Sequence, residues 1–422
     1  MENLRRVLSR VTIPPMVPMV RHIPDDSVKD IAAETVKTLE ASGIAGNIKP
    51  GMRVAVAVGS RGVANIPVLT RTTVDWLRAK GAEPFIVPGM GSHGQATAEG
   101  QRSLLADLGV TEESANCPVR ACMDVVKLGE LPNGLGVYFD RIAYEEADAV
   151  FVINRVKPHT NFRGKWESGI VKMLTIGLGK QIGADSCHTY GFTTMAENVP
   201  AMAKISLEKA NILGGLATVE NAMDKTCLIE AVLPENFLER DAALLEFART
   251  RMPTLPIETL DILIVDEMGK NISGAGMDPN VIGRCSVPDV VSGPLINRIV
   301  VLDLTEESHG NAIGMGLADF TTFRFKDKID YEAAYINSMT STTTKGAYMP
   351  MAFPTDYDAI RGAIKTSNIT DMDKLRMMHI KNTLEITRFS VTPNMVDELK
   401  ARGCEPLGPA AELRFSPEGA LV

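Results

Sequence analysis

Short runs of Val and Ile alternate along this chain with segments of helical period, and this alternation constrains the fold more than any other feature. An apolar run at 54–58 precedes a helical pattern over 67–80, and a second run at 83–87 precedes a helical pattern over 97–109. Uninterrupted apolar runs are typical of parallel strands, which helices cover on both faces. The sequence therefore predicts an α/β fold.

The alternation continues toward the middle of the chain. An apolar run at 147–154 predicts a third strand, the turn-rich stretch 117–140 predicts a small hairpin, and the apolar stretch 168–178 predicts a buried helix. Helices are expected to dominate 193–251. The following segment, 251–256, contains two prolines and is typical of a linker.

A second set of elements begins directly after the linker. Apolar runs predict strands at 260–265 and 298–304, and a helical pattern predicts a helix at 310–318. A strand followed by a helix is expected within 387–402. This second set indicates another α/β domain.

The length of 422 residues suits two or three domains. We predict an N-terminal α/β domain over 1–252, a C-terminal α/β domain over 257–410, and a tail over 411–422 that returns to the first domain. Both sheets are expected to be mostly parallel, with the active-site cleft between the domains.

Charge and cysteine content exclude several classes of protein. With 44 Lys and Arg against 52 Asp and Glu, the net charge of −8 gives no basic face for nucleic acid. No run approaches the ~20 apolar residues that cross a bilayer, and prolines interrupt the N-terminal apolar segment, unlike a signal peptide. The six cysteines lie far apart without a C-x-x-C pair, so we predict a cytoplasmic protein that binds neither nucleic acid nor a membrane.

Polar residues follow the predicted strands, where ligands bind in open α/β sheets. They are, in chain order, Ser60, Arg61, His93, Lys157, His159, Lys270 and Asn271. His93 and His159 each lie in a turn with Gly or Pro. Each could be an ordinary surface or core histidine, but their common place at strand ends favours proton transfer or metal binding.

Two further residues stand out beyond the third strand. Lys172 interrupts the apolar stretch 168–178, and its ammonium either extends to the surface or sits in a partly dry site, where it becomes nucleophilic. His188, beside Cys187, could be structural when taken alone. The pattern Gly89-x-Gly91-x-x-Gly94 has no acidic residue about 20 positions on, so a dinucleotide site is weakly indicated.

Together these residues resemble the nickel-pincer nucleotide dependent lactate racemase family. The matching motifs are Gly91-Ser92-His93, Pro158-His159, Ser168-Gly169-x-x-Lys172, and a histidine sixteen residues beyond that lysine, His188. The resemblance spans at least the first 200 residues and continues more weakly through the second domain. It implies an isomerase that racemises or epimerises a 2-hydroxy acid.

The resemblance also implies a role for each residue. Lys172 would carry the nickel-pincer nucleotide through a thioamide link, and His188 would be the protein ligand of the nickel. His93 and His159 would be the acid/base catalysts on the two faces of the substrate while hydride moves reversibly to the cofactor. The first domain would hold the cofactor, and the second would cap the substrate.

The remaining contacts follow less directly from the motifs. Lys270 and Asn271 are candidates for binding the substrate carboxylate. Ser60, Arg61 and Lys157 are candidates for binding the cofactor, with Arg61 also near the substrate. The family's Asp-x-Thr-Arg-Pro turn reads Gly59-Ser60-Arg61-Gly62 here, without the acidic residue.

The loop before Lys172 departs from the family. It is a few residues longer and contains Arg163, Lys165 and Trp166, while the family's second-domain tryptophan has no counterpart. These departures favour a larger or more acidic hydroxy acid, or a sugar acid, over lactate.

Two other functions are compatible with the same residues. A protein that binds or delivers the nucleotide or nickel without turnover would need Lys172 and His188 but not His93 or His159. A nicotinamide-dependent oxidoreductase would need only a soluble cofactor. The expected partners are a 2-hydroxy acid and the proteins that synthesise the cofactor, and a homo-oligomer is left open.

Overall fold

The apolar runs of the sequence form strands that are buried along almost their whole length. Arg53–Val58 is buried except at its first residue, and it pairs in parallel with Glu83–Pro88 on one side and Ala149–Arg155 on the other. Alternate side chains of such a strand pack against helices on opposite faces of the sheet. The strands predicted at 54–58, 83–87 and 147–154 are confirmed within two residues.

The chain is described as a computed structural model covering residues 2–60, 62–288, 290 and 293–422. The strands are β1 (Val17–Arg21), β2 (Arg53–Val58), β3 (Glu83–Pro88), β4 (Val125–Glu130), β5 (Gly136–Asp140), β6 (Ala149–Arg155), β7 (Ile212–Glu220), β8 (Thr226–Val232), β9 (Thr259–Met268), β10 (Leu295–Leu304), β11 (Phe320–Thr322), β12 (Met351–Phe353), β13 (Met377–Ile380), β14 (Arg388–Val391) and β15 (Cys404–Pro406). The helices are α1 (Glu2–Leu8), α2 (Ile31–Ala41), α3 (Ile66–Ala79), α4 (Ala98–Asp107), α5 (Glu112–Ala115), α6 (Arg141–Glu145), α7 (Ile170–Lys172), α8 (Lys180–His188), α9 (Met195–Lys209), α10 (Phe237–Arg251), α11 (Pro279–Ile282), α12 (Phe323–Asp327), α13 (Tyr331–Thr340), α14 (Asp356–Thr366) and α15 (Val396–Ala401).

The unit formed by Asp25–Met252 is built on a sheet with the strand order β3-β2-β6-β7-β8. The first four strands are parallel, and β8 is antiparallel to β7. The antiparallel pair β4 and β5 forms the predicted hairpin. The predicted helix at 168–178 is α7, which continues directly as a π-helix over Met173–Gly177.

The expectation that helices dominate 193–251 is wrong in part, because β7 and β8 lie within that range. The run in β7 is diluted by Gly214 and Gly215, so it lacks the density of Val and Ile that marks the other strands. Both glycines serve packing. A Cβ would lie 2.6 Å from Ile44 Cδ1 at Gly214 and 2.9 Å from Phe237 Cζ at Gly215.

The other unit combines Met1–Pro24 with Pro253–Val422. Its sheet has the order β12-β11-β10-β9-β13-β14-β1-β15 in the described residues, parallel from β12 to β13 and antiparallel beyond. The predicted strands at 260–265 and 298–304 lie within β9 and β10. The predicted helix at 310–318 is wrong, because Gly310 and Gly314 have φ of +78° and +99°, which interrupts a right-handed helix.

This division of the chain differs from the expected one at both termini. Residues 1–24 were expected in the first domain, but β1 pairs with β14 and β15 in the second unit. The tail 411–422 was expected to return to the first domain. Instead, Met16 bridges to Ala411, and Leu421 N–H donates to Asp356, all inside the second unit.

Each unit has its own buried apolar core. In Asp25–Met252 the core includes Val56, Phe151 and Leu216, and in the other unit it includes Leu263 and Ile299. Burial of such side chains stabilises by about 1.5–3 kcal/mol each. Within the part of the chain that is described, no helix has both the length and the apolar character needed to span a membrane.

Candidate active site

The carboxyl edge of the five-stranded sheet contains a topological switch point beside β2. The chain passes from β2 to β3 on one side and later reaches β6 on the other side. Ser60 follows β2, His93 follows β3 and His159 follows β6. Loops diverge at such a point and leave a crevice for ligands, so this edge is the candidate active site.

His93 is held directly beyond β3. Its ring Nδ1 shares a 2.6 Å hydrogen bond with Ser60 Oγ, and its backbone N–H donates to the carbonyl of Met90. A serine hydroxyl both donates and accepts, so this contact is compatible with either neutral tautomer of the imidazole. The two sequence candidates Ser60 and His93 are therefore neighbours in space.

His159 is held from both its backbone and its ring. The N–H of His159 donates to Glu167 Oε2 over 2.7 Å, and the N–H of Asn161 donates to His159 Nδ1 over 3.0 Å. Because Nδ1 accepts here, the neutral imidazole carries its proton on Nε2. Arg163 donates to the carbonyl of His159, so this cation of the longer loop supports the turn itself.

Lys172 is the last residue of α7, where the chain changes from α-helix to π-helix. Isolated π-helical turns occur frequently at functional sites. The start of α7 is held by Asp241 of α10, whose carboxylate accepts from the N–H groups of Ile170 and Val171 at 3.2 and 3.3 Å. Complete burial raises the pKa of this Asp241 carboxyl to about 7.

His188 ends α8, and its ring is oriented by its own helix. Nδ1 lies 2.6 Å from the carbonyl oxygen of Ala184. A carbonyl oxygen only accepts, so Nδ1 carries the proton and Nε2 the lone pair. Burial lowers the pKa of His188, and the nearby positive charge of Lys172 lowers it further. A neutral imidazole with its lone pair on Nε2 is the form that binds a metal ion.

The Phe192 ring is close to the rings of both His159 and His188. Its ring centroid is 6.0 Å from that of His159 and 5.4 Å from that of His188. Across the described residues, no group of three or more His, Cys, Asp and Glu is arranged to hold a metal ion. A metal at His188 would therefore need further ligands from a cofactor or substrate.

The glycines near the site serve close packing inside the chain. A Cβ at Gly89 would overlap Met173 Sδ, and one at Gly91 would lie 3.1 Å from the carbonyl oxygen of Ile176. At Gly94 it would lie 2.5 Å from the backbone of Gly100. These contacts explain the pattern at 89–94 without a bound dinucleotide.

The other sequence candidates are distributed between the two units. The backbone N–H of Lys157 donates to the carbonyl of Ser168, beside the site. Arg61 lies outside the described residues. Lys270 and Asn271 belong to the other unit, at the end of β9. There Lys270 Nζ donates to the carbonyl of Gly274 and to Asn337 Oδ1, while Asn271 Oδ1 accepts from Thr305 Oγ1.

Sequence reasoning missed the residues that support this edge: Gln101, Glu167, Lys180, Phe192 and Asp241. Lys180 lies just beyond the apolar stretch 168–178 rather than within it, so the signal that pointed to Lys172 is weaker there. Glu167 and Asp241 look like surface carboxylates in the sequence, and their burial depends on segments far apart in the chain.

Comparisons with known proteins assign no family to this chain. No protein-family model matches it, and no curated protein matches it. A solved Thermotoga maritima protein is 14% identical with a TM-score of 0.49, covering 67% of this chain and 72% of that chain. The lactate racemase apoprotein from Thermoanaerobacterium thermosaccharolyticum is 13% identical with a TM-score of 0.46, covering 93% of this chain and 91% of that chain. At such low identities and TM-scores, neither likeness assigns a function.

Proposed function

We propose that this protein is an isomerase that racemises or epimerises a 2-hydroxy acid, with a nickel-pincer nucleotide tethered at Lys172. The observation that carries the proposal is the placement of four residues. His93 and His159 follow β3 and β6 at the carboxyl edge of one sheet, the Phe192 ring is close to the rings of both His159 and His188, and the charge of Lys172 lowers the pKa of His188. The four residues come from four separate elements, namely the turn after β3, the loop after β6, α7 and α8. The carboxyl edge is where an open α/β sheet binds ligands.

The residues of the site suit the proposed cofactor. Lys172 supplies an amine for a covalent link, and its positive charge lowers the pKa of His188, the residue proposed as the metal ligand. His188 presents an Nε2 lone pair and supplies one ligand. The nickel-pincer nucleotide would supply the remaining ligands and the capacity to take and return hydride.

Proton transfer falls to His93 and His159. β3 and β6 lie on opposite sides of β2, about 10 Å apart, so the turns that carry His93 and His159 leave the sheet on either side of β2. Inversion of a stereocentre needs such a pair. Neutral His159 can donate a proton from Nε2, because its Nδ1 accepts a hydrogen bond. The hydrogen bond between His93 Nδ1 and Ser60 Oγ is compatible with either tautomer, so His93 Nε2 can either accept or donate a proton.

The first experiment is the intact mass and nickel content of the protein made in a host that synthesises the nucleotide. We expect one added nucleotide and about one nickel, both lost in Lys172→Ala because the tether is gone. Lys204→Ala, an exposed lysine of α9, is the matched control and should load normally. A folded, unloaded wild-type protein, beside a loaded lactate racemase from the same host, would contradict the proposal.

The same preparations separate catalysis from carriage. His93→Ala and His159→Ala are expected to keep the nucleotide and nickel but to lose racemisation of 2-hydroxy acids by a factor of about 10² or more. Variants that load and racemise as the wild type does would assign the acid/base role to other residues. A loaded wild type without turnover on any 2-hydroxy acid would favour a carrier of the cofactor.

A further inference from the structure

Lys180 combines two features that are unusual for a lysine. Its side chain is fully buried, and its Nζ lies 2.8 Å from the equally buried carboxylate of Asp140. Its backbone φ is +55°, in the left-handed region that disfavours residues with a Cβ. Buried charge and backbone strain in one residue are more common at functional sites than in ordinary cores.

The ammonium of Lys180 contacts the segment that carries His93. Nζ donates to the carbonyl of Pro88 over 2.6 Å and to Gln101 Oε1 over 3.1 Å. Gln101, also fully buried, donates from Nε2 to the carbonyl of Gly91 over 2.8 Å and to that of His93 over 3.2 Å. These bonds fix the amide orientation, because a lysine only donates and a carbonyl only accepts.

The network also joins two parts of the candidate site. Lys180 is the first residue of α8, and His188 is the last. The N–H of Gly91, in the His93 turn, donates to the carbonyl of Gly177 just before α8. The His93 turn and the His188 helix are therefore fixed to each other through buried hydrogen bonds.

Stability alone does not account for this arrangement. Replacing a buried ion pair by well-packed apolar residues is often neutral or stabilising. What a buried polar network of this kind provides is a single geometry, because a displaced Lys180 or Gln101 side chain would be left buried without its partners. The carbonyls that this network holds are those of Pro88, Gly91 and His93.

We propose that Lys180 and Gln101 are positioning residues for the acid/base histidine His93, with Lys180 fixing the amide of Gln101 and Gln101 fixing the His93 turn. This inference rests on the proposed function for the role of His93. In this role neither side chain contacts the substrate. They determine the position of the His93 ring relative to Ser60.

The test is the isosteric change Gln101→Glu. A carboxylate still accepts from Lys180, but it has no N–H to donate and it repels the carbonyl oxygens of Gly91 and His93. Gln181→Glu, the same change at the next residue of α8 and exposed, is the matched control. Should Gln101→Glu fail to fold, Gln101→Met, which is neutral and similar in length, makes the same test.

Two measurements are made on each variant. In cofactor-free protein, the ¹⁵N signals of the His93 ring, assigned with His93→Gln, should shift in Gln101→Glu and stay unchanged in Gln181→Glu. In loaded protein, kcat should fall by about 10- to 100-fold with KM nearly unchanged. A folded Gln101→Glu protein with wild-type His93 signals overturns the inference. Shifted His93 signals in a protein whose wild type has no racemase activity would contradict the proposed function and leave the positioning role intact.

Discussion

Asp241 is a carboxylate buried inside the unit Asp25–Met252, where it holds the first turn of α7. Burial raises its pKa to about 7, although two backbone N–H groups favour the charged form. In the unfolded chain the carboxyl titrates near 3.8. Between these two values the folded state binds more protons than the unfolded state.

The Asp241 contribution to the stability of this unit is therefore expected to fall as the pH rises from about 4 to about 7, and to level off above. The Asp241 contribution is fully present below the unfolded pKa and is lost as the pH passes the folded pKa. Asp241→Asn removes this titration, so the difference in free energy of unfolding between the variant and the wild type should change with pH, by an amount on the order of a few kcal/mol across the window.

Urea unfolding followed by tryptophan fluorescence measures this effect selectively, because both tryptophans, Trp76 and Trp166, lie in Asp25–Met252. Asp107→Asn, an exposed carboxylate at the end of α4, is the control and should follow the wild type. A constant difference between Asp241→Asn and wild type from pH 4 to pH 8 would contradict the expected titration.

At the scale of elements, the loop between β6 and α7 is tied to α10. Glu167 accepts from the N–H groups of His159 and Gly164 and from Arg249 of α10, and Trp166 Nε1 donates to the carbonyl of Leu238. The Glu167 side chain is fully buried. The extra length of this loop is thus used for internal contacts.

Glu167→Gln is expected to destabilise the unit by about 1–3 kcal/mol, because the charge that Arg249 faces is gone and one of the acceptors is replaced by a donor. Amide hydrogen exchange over 159–167 should accelerate. Glu246→Gln removes the exposed partner of the same Arg249 and should cost less than about 1 kcal/mol. Equal effects of the two changes would contradict a specific role for Glu167.

At the scale of the whole molecule, the two ends of the chain belong to one unit. β1 lies between β14 and β15, and Leu8 and Met16 lie in the same buried cluster as Ile262 and Ile364. Removal of residues 1–24 would separate β15 from the rest of the sheet and expose part of this cluster. Asp25–Met252 has its own core and sheet.

We expect residues 25–252 to fold as an isolated fragment and residues 253–422 to fold only when residues 1–24 are supplied, in the same chain or as a peptide. Circular dichroism and ¹H–¹⁵N spectra of the three preparations make the measurement. A cooperative unfolding transition of 253–422 alone would contradict this expectation.

Some strands and some residues of the candidate site could be predicted from the sequence, and others could not. β2, β3 and β6 are dense in Val and Ile, so their pattern was sufficient. β7, with its two glycines, and the irregular segment at 310–318 were not predicted, because their conformations depend on neighbours such as Ile44 and Phe237 or on left-handed glycines. Ser60, His93 and His159 were found because they follow strands.

The sequence by itself determined the α/β class and which polar residues reach the carboxyl edge, since both follow from local periodicity and from where each strand ends. The tertiary structure alone decided the placement of residues 1–24 and the burial of Glu167, Lys180 and Asp241. Strand pairing and burial bring together residues that are tens to hundreds of positions apart in the chain. A local sequence pattern does not indicate which distant residues will become neighbours.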